Sequence, residues 1–236
     1  MPIPHIHLLC IDKVFIEAFS VARTRHGLPP SVQVTVHHCS LSQLPASVQF
    51  DTIVSPANSY GRLDGAFDDA ISRAISPVDD YLALTRVAQQ ALYVEWRGFA
   101  PPGSCTLVDL PEEFAAAGQS RNVWGVRRLA LCPTMRMPED VRWDREVVYK
   151  CVWSLLCAVG KRSGGDEVRS LLMTPLGTGV GRISPDRWAG QLVLAIKHSV
   201  DADENPDVWS SLSWEDSSKT TIEVQKTWMG EGLSRS

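Results

Sequence analysis

Residues 51–74 read DTIVSPANSYGRLDGAFDDAISRA. Thr52-Ile53-Val54 is a short apolar run of the kind that forms a buried strand. The run breaks at Ser55-Pro56, passes through Asn58-Ser59-Tyr60-Gly61 to Asp64-Gly65-Ala66, and re-enters a helical pattern at about Phe67. A strand feeding a glycine-containing loop and then a helix is a common way to build a small-molecule site. Loop N–H groups and the positive end of the helix dipole both favour anions. Gly61 and Gly65 permit close backbone approach and φ above zero. Asn58 and Asp68 are the side chains with chemical capacity. The same residues also make an ordinary connection, with an Asx turn and acidic groups at a helix N-terminus.

Outward from this stretch, strands and helices alternate. HIHLLCI (5–11) predicts a strand with Asp12 at its end, and Val14, Phe15, Ala18, Phe19 and Ala22 predict an amphipathic helix from Lys13 to about Arg25. SVQVTVHHC (31–39) alternates as a second strand. Helical spacing returns over 78–96 and 144–161, and Pro185 opens a last helix. Residues 105–108, 122–133 and 168–173 read as strands. Such alternation implies a largely parallel sheet covered on both faces, with ligands beyond the carboxyl ends of the strands. Asp12, the Asn58 loop and the loop at Gly177 all follow strands in that sense. After Val200, DADENPD reads as an acidic, helix-breaking link. Residues 201–236 form a polar tail with Trp209, Trp214 and Trp228, expected to dock on the body, 1–200, or on a partner.

A length of 236 residues suits one α/β domain, or one domain with an appended tail, and 44% hydrophobic and 21% charged residues are the composition of an ordinary globular protein. A net charge of −4 offers no general attraction for nucleic acid or anionic membrane, so any anion site must be local. No apolar run reaches the length of a membrane span. Six cysteines without a CxxC pair, together with the absence of a signal-peptide pattern, predict free thiols and a cytoplasmic or nuclear protein. His37 and His38 face opposite sides of a strand. His5 and His7 share a face without a convincing third ligand, so no metal site is expected. No thiol nucleophile or Ser-His-Asp triad is legible.

The second informative loop is Thr174-Pro175-Leu176-Gly177-Thr178-Gly179-Val180-Gly181. Its G-x-G-x-G spacing between strand and helix suits an anion nest of successive N–H groups. It matches neither the dinucleotide fingerprint nor a Walker loop. Taken together, the two loops resemble the macro domain, the ADP-ribose-binding module. Ser55-Pro56-Ala57-Asn58 with Gly65-Ala66-Phe67-Asp68-Asp69-Ala70-Ile71 is similar to that family's N-x-A-N, glycine run and (V/I)-D-x-A-I segment. Pro175 to Gly181 is similar to its second phosphate loop.

The resemblance implies a three-layer α/β/α sandwich with a mixed, mainly parallel sheet. By it, Asp12 corresponds to the carboxylate that accepts the adenine amino hydrogen, and Asn58 to the amide that orients the distal ribose. Gly177–Gly181 would hold the diphosphate. Asp68 corresponds to the aspartate that several hydrolytic members use with a water at the anomeric carbon. Ser55, Ala57, Gly65, Ala66, Phe67, Leu176, Thr178, Gly179, Val180 and Arg182 complete the implied ligand set, with no cofactor. The family's glycine run is reduced to Asp64-Gly65-Ala66. Asp64 adds a charge for Arg62 or Arg182 to neutralise and stands as the alternative acid. The implied partner is ADP-ribose or an ADP-ribosylated protein. The implied reaction is hydrolysis at the distal ribose, of an ADP-ribosyl-protein or of ADP-ribose 1″-phosphate. A non-catalytic reader and a degenerate scaffold are the alternatives. Without the resemblance Asp12 reads as a helix N-cap, and Asp68 and Asp69 as groups that complement the helix dipole.

Overall fold

The computed structural model describes residues 2–114 and 121–229. Among these, β1 (His5–Leu9), β2 (Val34–His37), β3 (Thr52–Ser55), β4 (Thr106–Asp109), β5 (Arg128–Leu131) and β6 (Ser170–Met173) form one sheet. Its order is β2-β1-β6-β3-β5-β4. Every neighbouring pair is parallel except β4–β5, which is antiparallel. Alternate residues on each strand point to opposite faces, so the central strands feed two cores. Val54, Ala130 and Leu171 join the core under α1 (Lys13–Arg25), α4 (Val147–Gly160) and α5 (Pro185–Glu204). Ile53, Leu129 and Leu172 join the core under α2 (Ala66–Ile75) and α3 (Ala83–Trp96). The fold is therefore the three-layer α/β/α sandwich with a mixed, mainly parallel sheet.

Several element boundaries differ from the sequence reading. The helix expected over 78–96 starts at Ala83. Ser76 precedes Pro77 and takes an extended ψ of 152°, because the proline ring clashes with a helical residue before it. Turns closed by Asp80 N–H to the Pro77 carbonyl and Ala83 N–H to the Asp80 carbonyl fill the gap. The strand expected over 122–133 is confined to 128–131. Gly125 has φ 79°, and the Asn122 side chain donates to the Val126 carbonyl at 2.7 Å and accepts its N–H at 3.1 Å, which makes a turn of the lead-in. The acidic stretch after Val200 does not break the helix where expected. α5 runs to Glu204, the chain turns at Asn205, and Pro206 opens the short α6 (Pro206–Trp209).

A further helix, α7 (Trp214–Met229), lies against α5. Val224 is buried there, Gln191 Nε2 donates to Thr227 Oγ1 at 3.1 Å, and Glu223 meets Lys197 Nζ at 3.0 Å and His198 Nε2 at 2.9 Å. Arg145 stacks 4.4 Å over the Trp228 ring. Residues 230–236 of the expected tail lie outside the described residues.

Leu172 is fully buried on β6, between β1 and β3. Leu172→Ala should lower unfolding stability by about 2–5 kcal/mol in denaturant titration, through lost transfer energy and an uncollapsed cavity. The same titration should show roughly 1–2 kcal/mol for Val224→Ala, which removes two methyl groups from one outer helix contact.

Candidate functional site

β3 and β6 are parallel neighbours, so the loops that follow them open at the same end of the sheet. They enclose a crevice of about 400 Å³. One wall comprises Asn58, Arg62 and Asp64 to Asp68, and the other Thr174, Pro175 and Gly177 to Gly181. Thr134, Met135 and Pro138, from the segment after β5, complete it.

The first wall is braced from behind. Asn58 Oδ1 accepts the N–H groups of Tyr60 and Arg62 at 3.0 and 3.3 Å, and its Nδ2 donates to the Arg62 carbonyl at 2.7 Å. Three of its four hydrogen-bonding positions thus shape the loop, leaving one amide hydrogen for another acceptor. Ser72 Oγ donates to the Leu63 carbonyl at 2.6 Å, and Leu63 N–H donates to Thr85 Oγ1 at 3.3 Å. Gly61 carries φ 64° against Ala88 and Leu92, where an added Cβ would meet Leu92 Cδ1 at 2.9 Å. Gly65 is extended at φ −133°, and the left-handed residue that turns the chain into α2 is Ala66, at φ 49°. The positive φ expected at Gly65 is displaced by one residue, onto a side chain that disfavours it.

Asp68 and Asp69 part ways on α2. Asp69 is turned outward, paired with Arg73 at 2.7 Å and accepting the Tyr81 hydroxyl at 2.6 Å. Asp68 is 7% exposed and accepts a short 2.6 Å hydrogen bond from Ser55 Oγ. Burial pushes its carboxyl up to about 7, and the charge of Asp64 pushes the same way, while the Ser55 hydrogen bond opposes both. Arg62, rather than Arg182, neutralises Asp64 through a direct ion pair. Arg182 lies 3.8 Å from Asp140, which Arg142 holds down at about 2.

The second wall turns on itself. Ile183 N–H donates to the Gly177 carbonyl and Arg182 N–H to that of Gly179. A Cβ on Gly181 would stand 2.5 Å from the Gly177 carbonyl oxygen, so only glycine fits. Val141 N–H binds the Gly181 carbonyl from outside at 3.1 Å. Buried Arg187 holds the segment beyond Val141, donating to the carbonyls of Arg142, Asp144 and Arg145. The N–H groups of Thr178, Gly179, Val180 and Gly181 have no acceptor among the described residues, nor do those of Ala66 and Phe67 at the start of α2. The residues that carry these unpaired donors line one space from both sides.

Of the residues singled out in the sequence, Asn58, Gly65, Ala66, Phe67, Asp68, Gly177, Thr178, Gly179, Val180 and Gly181 share the crevice. Ser55, Ala57 and Leu176 are buried beneath it, and Arg182 and Asp12 do not line it. Asp12 occupies the N-cap position of α1, yet its side chain makes no capping bond and is exposed. Sequence reasoning missed Thr134, Met135 and Pro138. Their signal was the position after a central strand, where parallel sheets place ligand contacts.

Among the described residues no group of three or more His, Cys, Asp or Glu is arranged to hold a metal. His7 Nδ1 lies 3.0 Å from His37 Nε2, and burial with two neighbouring imidazoles lowers His7 to about 4. All six cysteines are free, and Cys10, Cys105, Cys132 and Cys151 are buried. No helix among the described residues is long and apolar enough to cross a membrane.

Two outcomes are expected from this geometry. Ala66→Gly should raise stability by roughly 1 kcal/mol in denaturant titration, because it relieves a left-handed alanine. The second concerns Asp68. Its folded-state pKa of about 7 lies above the ordinary 3.8, so the native state holds an extra proton between those values and stability falls as pH rises through them. Asp68→Asn keeps an acceptor for Ser55 and removes this loss. Its stability advantage over the parent should grow from about pH 4 to about pH 7 and be flat above.

No protein-family model and no curated protein matches the chain. Among solved structures, the chain is similar to an Oceanobacillus iheyensis macrodomain with ADP, at 17% identity and a TM-score of 0.44, over 64% of this chain and 67% of that one. It is also similar to the same organism's macrodomain with MES bound, at 15% identity and a TM-score of 0.45, over 78% of this chain and 87% of that one. A point mutant of that macrodomain with ADPR is similar at 17% identity and a TM-score of 0.43, over 64% and 69%.

Proposed function

We propose that the crevice binds the ADP-ribose unit and that the protein hydrolyses an ADP-ribose derivative at the distal ribose, either an ADP-ribosylated protein or ADP-ribose 1″-phosphate. The observation that carries this reading is the pair Gly65 and Gly179. Neither has a positive φ, and a Cβ on either would meet nothing within 4 Å. The fold itself therefore has no steric need for glycine at these two positions, both of which line the crevice. A ligand pressed against the backbone supplies that need.

The free N–H groups of the second loop and of the α2 terminus suit the two charges of a diphosphate. Exposed Asp12, whose side chain has no hydrogen-bond partner among the described residues, is available to an adenine amino group at the end of β1. Asn58 has one amide hydrogen left for the distal ribose and otherwise acts through the loop it braces. Asp68, half-protonated near neutral pH, is suited to polarise a water or return a proton as the glycosidic bond opens. The protein contributes position and a tuned carboxyl rather than a covalent nucleophile. The ligand-binding unit is residues 1–200, with 201–236 appended to it. The free thiols fit a reducing compartment, cytoplasm or nucleus.

Thermal unfolding with ADP-ribose, AMP and ATP tests the reading. At about a hundred times its dissociation constant ADP-ribose should stabilise the parent by roughly 2.7 kcal/mol, and the two controls by less. Gly179→Val should unfold at the parent's temperature without ligand and lose the response to ADP-ribose. Release of ADP-ribose from a modified protein, or of phosphate from ADP-ribose 1″-phosphate, abolished in Asp68→Ala, marks a hydrolase. Binding without release marks a reader, and no shift with any ligand marks a scaffold.

A further inference from the structure

Beside the Asn58 end of the crevice stands a small patch whose side chains do not line it. The Tyr60 and Phe99 rings meet edge to face, 5.8 Å apart at 60°. Arg136 Nε donates to the Tyr60 hydroxyl at 3.0 Å, and its guanidinium carbon lies 5.2 Å from the Phe99 ring centre. The patch is tied to the crevice wall by Ser59 N–H, which donates to the carbonyls of Met135 at 3.0 Å and Arg136 at 3.3 Å. Met135 and Asn58 themselves line the crevice.

The charge at this patch is uncompensated. Around the same mouth, Arg62 pairs with Asp64, and Arg142 and Arg182 face Asp140. Arg136 is exposed and has no carboxylate partner among the described residues. The phenol and the ring face hold its plane, while the two terminal nitrogens remain free, and this is the fork that a carboxylate meets with two parallel hydrogen bonds. Phe99 is 38% exposed and offers an apolar surface beside it. If the distal ribose lies at the Asn58–Asp68 end, whatever is attached to it leaves the crevice past these residues.

We propose that Tyr60, Phe99 and Arg136 dock an acidic peptide segment flanking the ADP-ribosylated residue, so that the preferred substrate is a modified protein with aspartate or glutamate next to the modification. The inference rests on the crevice reading given above. Arg136 makes the contact, and Tyr60 and Phe99 position it.

Peptides carrying one ADP-ribose through a hydrolysis-resistant aminooxy linkage, flanked by either glutamates or lysines, separate the possibilities by fluorescence anisotropy. The parent should bind the acidic peptide roughly three- to tenfold more tightly than the basic one. Arg136→Ala should remove that preference, leave the affinity for free ADP-ribose unchanged and unfold at the parent's temperature. Arg136→Lys, which keeps the charge but not the fork, should retain only part of it. Equal affinity for the two peptides, with free ADP-ribose still bound, overturns the patch and spares the crevice. An Arg136→Ala loss as large for free ADP-ribose as for the acidic peptide makes Arg136 part of the crevice and also overturns it. Failure of the parent to bind free ADP-ribose overturns both readings together.

Discussion

Ile53 of β3 lies opposite Leu172 of β6, and Thr52 opposite Leu171, in a parallel register. Because the two strands run the same way side by side, the loops that leave them emerge at one edge. Neither loop is a site alone. Each is a backbone turn with unsatisfied N–H groups, and only the strand pairing makes them the two walls of one crevice. The pairing in turn depends on buried side chains on both faces of the sheet, since Ile53 and Leu172 belong to one core while Val54 and Leu171 belong to the other. A one-residue slip would exchange those faces and separate the walls.

Within the crevice, electrostatics are divided between two carboxylates that differ by environment rather than type. Asp64 is partly exposed and paired with Arg62. Asp68 is almost wholly buried with a single hydroxyl partner, so its charge is costly. The positive end of α2 favours the ionised form of Asp68, but burial and the nearby Asp64 outweigh it, and the carboxyl titrates near neutrality. Water access thus separates two aspartates four residues apart.

Much of the architecture was legible because it rests on periodicity. Helical spacing on 13–25 and 147–160 reports one buried face, and the apolar run in 5–9 reports a strand buried on both, because burial is what the pattern encodes. Boundaries were less legible where a local competitor intervened. Pro77 ended α2 at Ser76, turns over 77–83 preceded α3, and the Asn122 side chain made a turn of what reads as strand. The acidic residues after Val200 look helix-breaking, yet α5 continues through them, because propensity is weak beside twenty residues of packed helix.

The residues of the site divide in the same way. Reading the chain was enough to show that two glycine loops follow strands, that Asn58 and Asp68 stand ten residues apart, and that Asp64 needs a counter-charge. Folding had to settle that Arg62 supplies that charge, that Ala66 rather than Gly65 takes the left-handed turn, and that Asp12 and Arg182 stand outside the crevice lining. Folding also brings Arg136, far from the first loop in sequence, against Tyr60 at its edge. The reason is physical: hydrophobic patterning records which face of an element is buried, whereas counter-ions, strained φ angles and rim contacts depend on which loops the strand order brings together.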